Sequence, residues 1–371
     1  MNNFIFLFKI IIYILLALLP FLFTFYVRTR ATISSRKTYQ IKNKIGKCGI
    51  FFCSLLFGWY STICSKIPYT SDRGNYVLRF VNYVEDPWTV GLNFVADIIH
   101  LFTNNPNVLF FTITFFCVFL TLWAYRLSNA GNRETLLLWA FSMSIIHSFY
   151  LLKQGPAMAL GAVSIVFFMK RKYGASAVFF ILSVLFHESA LILIPIFVAM
   201  RLSRKQWRRW IIYSMITMSV IFFSSVSRYA IQFFGTINSD VFGQITTYLD
   251  DTGAIAFSLN LATALKGIPY YLITLYGFMK RKDLKDKINN YDEYLILSTA
   301  TSGLYLLSSY MYWMWRFGAY GFFPMYLFAS EMYRKQNNRK SAQMFFFTIW
   351  GFLTFFTLRY LYQIYFKYGG F

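Results

Sequence analysis

The strongest constraint on this chain is an alternation. Long apolar segments are separated by short loops, and positive charge gathers in every second loop. Apolar segments lie at roughly 4–26, 48–65, 108–125, 135–152, 156–169, 174–187, 188–200, 210–226, 255–279, 294–310, 317–333 and 343–362. Crossing a bilayer takes about 20 apolar residues, and the hydrocarbon offers no partner to a backbone N–H or C=O, so each segment is expected to be a helix. The loops at 27–47, 126–134, 170–173, 201–209, 280–293 and 334–342 hold 26 of the 36 Lys and Arg residues. Seven fall in the alternate loops and ends: Lys66, Arg73, Arg79, Lys153, Arg228, Arg316 and Lys367. Lys9, Lys266 and Arg359 fall inside apolar segments. Cytoplasmic loops carry such an excess of Lys and Arg, so the basic loops are expected inside and both termini outside. The expectation is an all-α, polytopic membrane protein with about 12 spans in one transmembrane domain over residues 1–371.

Composition agrees. The chain is 57% hydrophobic and 13% charged, with a mean hydropathy of +0.49. Its aromatic content of 22% suits Trp and Tyr belts at the two interfaces. The net charge of +22 reads as a topology signal, and nucleic acid is not an expected partner. Cys48, Cys53, Cys64 and Cys117 lie in or beside apolar segments without a CxxC pair or a nearby His. Neither a zinc site nor a disulfide framework is indicated. With no Asp-x-Asp and no His/Cys cluster, no metal and no cofactor is expected. The segment Phe4–Val27 is too long for a signal-peptide core and lacks a small-residue cleavage site.

The stretch from Lys153 to Pro195 is the most informative. Two short apolar segments flank the basic turn Lys170-Arg171-Lys172, with Lys153-Gln154 at one far end and His187-Glu188 at the other. Read as one helix, Gly174–Met200 would put two basic loops on opposite sides. Two short helices meeting near His187 keep both loops inside. Polar groups at membrane depth are costly and usually mark a path or a reaction site, so the chemistry is expected at the outer ends of these helices. Two long outer loops face the same side, 67–107 and 227–253. Within the first, Trp88–Phe102 has the spacing of an amphipathic interfacial helix, with Asn93, Asp97 and His100 off its apolar face. Asp86-Pro87 reads as its start. Pro20, Pro195, Pro269 and Pro324 lie within apolar segments.

The residues carry a resemblance. Asp72 and Tyr76 stand in the first outer loop, followed by Glu85 and Pro87. Lys153-Gln154 precedes Ala157, and Phe186-His187-Glu188-Ser189-Ala190-Leu191-Ile192 precedes Pro195. Arg316 precedes a late helix. This pattern resembles the EpsG family, Wzy-like polymerases of bacterial surface polysaccharides such as O-antigen. The family usually has Arg before the Gln; Lys153 keeps the charge and loses the bidentate fork. The resemblance implies a metal-independent glycosyltransferase, related in fold to lipid-dependent (GT-C-like) enzymes, in the bacterial inner membrane with its site facing the periplasm. It implies polyprenyl-diphosphate-linked oligosaccharides, on undecaprenyl diphosphate, as donor and acceptor. Membrane lipids surround the chain, and a chain-length regulator is a candidate partner.

A diphosphate leaving group calls for cations, and a sugar hydroxyl acceptor calls for a base. Asp72 and His187 are the catalytic candidates. Lys153, Gln154, Arg316, Arg73, Tyr76, Glu188 and Arg228 are the substrate-binding candidates. Each has a structural alternative. Asp72 could cap a turn, Lys153 could snorkel, Glu188 could cap the following helix and Arg316 could stack on a neighbouring ring. His100 and His147 read as structural. A flippase for lipid-linked oligosaccharides and a membrane acyltransferase acting on surface glycans are the competing functions.

Overall fold

The structure is a computed structural model, and it describes residues 2–34, 45–63, 72–84, 89–128, 133–142, 151–201, 261–308 and 315–362. Among these residues every element is helical. The α-helices of six residues or more are, in chain order, α1 (Asn2–Ser34), α2 (Lys47–Ile63), α3 (Asp72–Val81), α4 (Val90–His100), α5 (Pro106–Leu127), α6 (Arg133–Ala140), α7 (Gln154–Met169), α8 (Tyr173–Phe186), α9 (Leu193–Arg201), α10 (Leu261–Lys266), α11 (Ile268–Met279), α12 (Tyr291–Leu307), α13 (Phe322–Lys335) and α14 (Arg339–Tyr362). Among the described residues, three stretches are long and apolar enough to cross a membrane: Leu7–Thr24, Pro106–Leu127 and Arg339–Tyr362. Others are shorter. At about 1.5 Å per residue, the 16 residues of α7 and the 14 of α8 reach roughly 24 and 21 Å, less than the ~30 Å hydrocarbon core.

The centre is α7. Nearly its whole circumference is buried, and its small residues Gly155, Ala157, Ala159, Gly161, Ala162 and Ser164 let neighbours approach closely. The reciprocal pair Ser164 Oγ to Ser176 O (2.8 Å) and Ser176 Oγ to Ser164 O (2.9 Å) ties it to α8. Ser183 Oγ adds a bond to Ala157 O at 2.6 Å. Ser176 and Ser183 are the buried residues of α8, while Val178, Ile181, Leu182 and Leu185 face outward. This polarity is inverted relative to a helix facing water. Lipid makes it sensible, since outward leucines cost nothing there and inward hydroxyls find partners.

The helix ends group as the charge pattern requires. Arg126 Nη1 donates to Ile45 O at 2.5 Å, Arg201 Nη1 to Tyr173 OH at 2.6 Å, and Lys287 Nζ to Asn337 Oδ1 at 3.0 Å. Each contact joins residues of, or beside, two basic loops. The 174–200 stretch is two elements. α8 ends at His187, a 3-10 turn follows over Glu188–Ile192, and α9 returns so that Arg201 lies over the Tyr173 ring at 4.7 Å.

The reverse turn at Lys170–Lys172 closes by a Schellman pattern, with Arg171 N–H to Phe168 O and Lys172 N–H to Phe167 O, both 2.9 Å. Arg171 takes the left-handed conformation there (φ 60°).

Several boundaries differ from the sequence reading. The apolar run 255–279 breaks at Gly267, between α10 and α11, because Pro269 has no N–H to continue the ladder. The 188–200 run starts as a 3-10 turn. Asp72 opens a helix within the stretch that reads as an outer loop. The amphipathic helix spans Val90–His100, with Thr89 at its described cap; Asp86 and Pro87 lie outside the described residues. The segment 210–226, the loop 227–253 and His147 also lie outside them.

Candidate functional site

The ends of α3, α7, α8 and the 315–321 turns meet at the pole opposite the basic loops. Lys153 precedes α7 and Gln154 is its first residue. Gln154 is 2% exposed, and its Nε2 donates to the backbone carbonyl of Arg316 at 2.8 Å. Its Oε1 is buried without a hydrogen-bond partner among the described residues. Arg316 lies on the short turn Trp315–Gly318, which packs against the 3-10 turn after His187. Its guanidinium is half-buried and makes no ion pair with a described residue. Lys153 Nζ stands over the Tyr76 ring of α3, 5.9 Å from its centroid.

His187 is in extended conformation between α8 and the 3-10 turn, with its backbone N–H donating to Ser183 O at 3.1 Å. Its Nδ1 accepts the Ser189 N–H at 3.1 Å. The neutral ring therefore carries its proton on Nε2. The capping expected of Glu188 is performed by His187, and Glu188 lies exposed in the first turn. The correction is local: the extended residue before a turn is the one whose side chain reaches the second N–H beyond it.

Ser189 and Tyr320 complete the frame. Their hydroxyls are 3.1 Å apart, both residues are buried, and they join the His187 turn to the turn at Ala319–Gly321. Tyr320 had no signal in the sequence beyond standing four residues after Arg316. Ser189 belonged to the quoted motif without a role. α4 reaches the same pole. A Cβ on Gly91 would lie 2.8 Å from the Phe186 ring, so glycine permits the close approach of α4 to the end of α8.

The expected site residues divide. Lys153, Gln154, Tyr76, His187, Glu188 and Arg316 belong to one pole. Arg73 turns inward: it is 1% exposed, donates to Ser61 O at 2.7 Å, and lies 3.6 Å over the Phe110 ring. There its charge serves the packing of α3 on α2 and α5. Asp72 is the first residue of α3, one turn before Tyr76; its side chain and all of Arg228 lie outside the described residues. Among the described residues no group of His, Cys, Asp and Glu could hold a metal ion.

Beside the pole lies a cleft of about 180 Å³ between α3, α4 and α5. Tyr76, Arg79 and Tyr83 line it from α3 and its end, and Asn93, Asp97 and His100 from α4. The polar face of the amphipathic helix thus looks onto α3, while Leu92 and Ile99 are buried and Phe94 and Ile98 point outward.

No curated protein and no solved structure matches this chain. The EpsG family model matches residues 50–369, and by that extent the chain belongs to the EpsG family, membrane proteins of polysaccharide biosynthesis.

Proposed function

We propose that the protein polymerises polyprenyl-diphosphate-linked oligosaccharide repeat units at the outer face of the bacterial cytoplasmic membrane. In this reading the chain has about 12 spans in a GT-C-like arrangement, and its site faces the periplasm. One observation carries it. The half-buried Arg316, without an ion pair among the described residues, is tied through its own carbonyl to Gln154, whose buried Oε1 has no partner among them either. A cation needing an anion, beside an acceptor atom needing a donor, suits a ligand with both a diphosphate and hydroxyls. Membership of a polysaccharide-biosynthesis family supports the same ligand.

The reaction transfers the growing glycan from its lipid diphosphate to a hydroxyl of a new lipid-linked repeat unit. The hydroxyl loses its proton to a base as its oxygen bonds to the anomeric carbon. The bond from that carbon to the diphosphate breaks, and undecaprenyl diphosphate departs with the electron pair. Arg316 and Lys153 neutralise the charge that grows on the leaving group. Gln154 Oε1 accepts from a sugar hydroxyl.

Asp72 is the base in this scheme. His187 has Nδ1 engaged with Ser189 N–H and its proton on Nε2, so it is arranged to donate, and we assign it the orientation of the diphosphate. The pair of variants Asp72→Asn and His187→Gln tests the assignment. Asp72→Asn should bind lipid-linked substrate and extend no chain; near-normal polymer from it would remove Asp72 as the base.

A further inference from the structure

The cleft between α3 and α4 has no part in the transfer chemistry above. Its volume of about 180 Å³ far exceeds the roughly 10–15 Å³ that one water requires. The lining mixes a carboxylate (Asp97), a guanidinium (Arg79), an amide (Asn93) and the rings of Tyr76 and Tyr83. Asn93, Asp97 and His100 sit at i, i+4 and i+7, so they share one face of α4.

Tyr83 is the informative residue. It ends α3 in a Schellman closure, with Val84 N–H to Arg79 O at 2.9 Å and Tyr83 N–H to Phe80 O at 3.3 Å. Its φ is 53°, the left-handed conformation that glycine adopts freely and that costs a side-chain-bearing residue about 1–2 kcal/mol. A large aromatic nonetheless occupies it. The ring stacks on His100 at 4.2 Å, His100 stacks on Phe80 at 4.1 Å, and His100 Nε2–H donates to Phe80 O at 3.0 Å. The Tyr83 hydroxyl donates to Asn104 Oδ1 at 2.6 Å. Packing and hydrogen bonds therefore hold the ring in place, yet Tyr83 remains 59% exposed at the mouth of the cleft. Strain retained to present an exposed ring points to something the ring meets.

We propose that this cleft is a sugar subsite, holding one neutral pyranose ring of the glycan. The lining selects that class. A phosphate would meet the Asp97 carboxylate, a cation would meet Arg79, and an acyl chain would lie against a carboxylate and a guanidinium. A sugar ring uses all of them: its hydroxyls donate to Asp97, accept from Arg79 and pair with Asn93, and its C–H face lies on a tyrosine ring. The cleft also adjoins the candidate site, because Tyr76 lines it and underlies Lys153 Nζ at 5.9 Å. A ring bound here would anchor the saccharide next to the diphosphate-binding cations. That the sugar belongs to a lipid-linked repeat unit rests on the function proposed above.

The test uses the full chain in nanodiscs and, as probe, the soluble oligosaccharide released by mild acid from the source cell's lipid-linked repeat units. Wild type should bind it saturably. Asp97→Ala and Arg79→Gln should each weaken binding at least tenfold. Phe94→Ala, on the outward face of the same helix, should leave it unchanged. Absence of saturable binding to wild type, or wild-type affinity in both cleft variants, overturns the subsite. The two proposals fail separately. Asp97-dependent binding by a protein that makes no polymer keeps the cleft and removes the polymerase. Polymer made by Asp97→Ala and Arg79→Gln with unchanged KM removes the cleft and keeps the polymerase.

Discussion

Replacing Gln154 by Leu separates a structural strut from a ligand contact. Gln154 Nε2 holds the Arg316 carbonyl at 2.8 Å, while its buried Oε1 has no partner among the described residues. The leucine has nearly the same size. It removes one hydrogen bond, worth about 0.5–1.5 kcal/mol net, and leaves the Arg316 carbonyl unsatisfied at about 1–3 kcal/mol. It also removes the unsatisfied Oε1, which recovers a similar 1–3 kcal/mol. The net change in stability is about 1 kcal/mol, and thermal melting of the variant in nanodiscs should lie within a few degrees of wild type. If Oε1 accepts from a substrate hydroxyl, turnover loses that bond as well. A loss of about 1.4–2.8 kcal/mol in the transition state lowers kcat/KM roughly 10- to 100-fold. A variant that is stable and fully active refutes the ligand role. One that melts far below wild type refutes the cancellation of terms.

Arg316→Ala should abolish polymer while the protein stays in the membrane, as read by immunoblot of membrane fractions beside glycan gels, whereas Lys153→Arg should keep activity because the charge survives; normal polymer from Arg316→Ala removes that residue from the mechanism. Asp292 is 3% exposed and pairs with Arg281 at 3.1 Å and Lys285 at 3.9 Å at the basic pole. Asp292→Asn should cost about 2–3 kcal/mol, below the roughly 3–5 for a fully buried pair because Arg281 keeps some exposure, and should lower the melting temperature in detergent without changing the polymer made per folded molecule.

The sequence was most legible where membrane physics is strict. The positions of basic loops required 174–200 to fold back, and the structure turns at His187. Apolar runs marked helices because hydrocarbon allows little else. What stayed hidden was set by partners distant along the chain. Arg73 read as a substrate-binding cation of the outer loop, and its burial depends on Ser61 and Phe110. Gln154 and Arg316 are 162 residues apart, so neither half of their contact forecasts the other. The polar face of α4 read only as that of an interfacial helix, because α3 was not recognised; ten residues with Arg, Gly and Asn among them carry little helical signal of their own. The capping role fell to His187 rather than Glu188 through backbone geometry that composition does not encode.

The most direct measurement reconstitutes the purified protein in liposomes with purified lipid-linked repeat units and resolves the glycans by length. A ladder spaced by one repeat unit is the expected result, with release of undecaprenyl diphosphate and without added metal. Repeat units that cross the bilayer unextended, or acyl groups incorporated without a ladder, would contradict it.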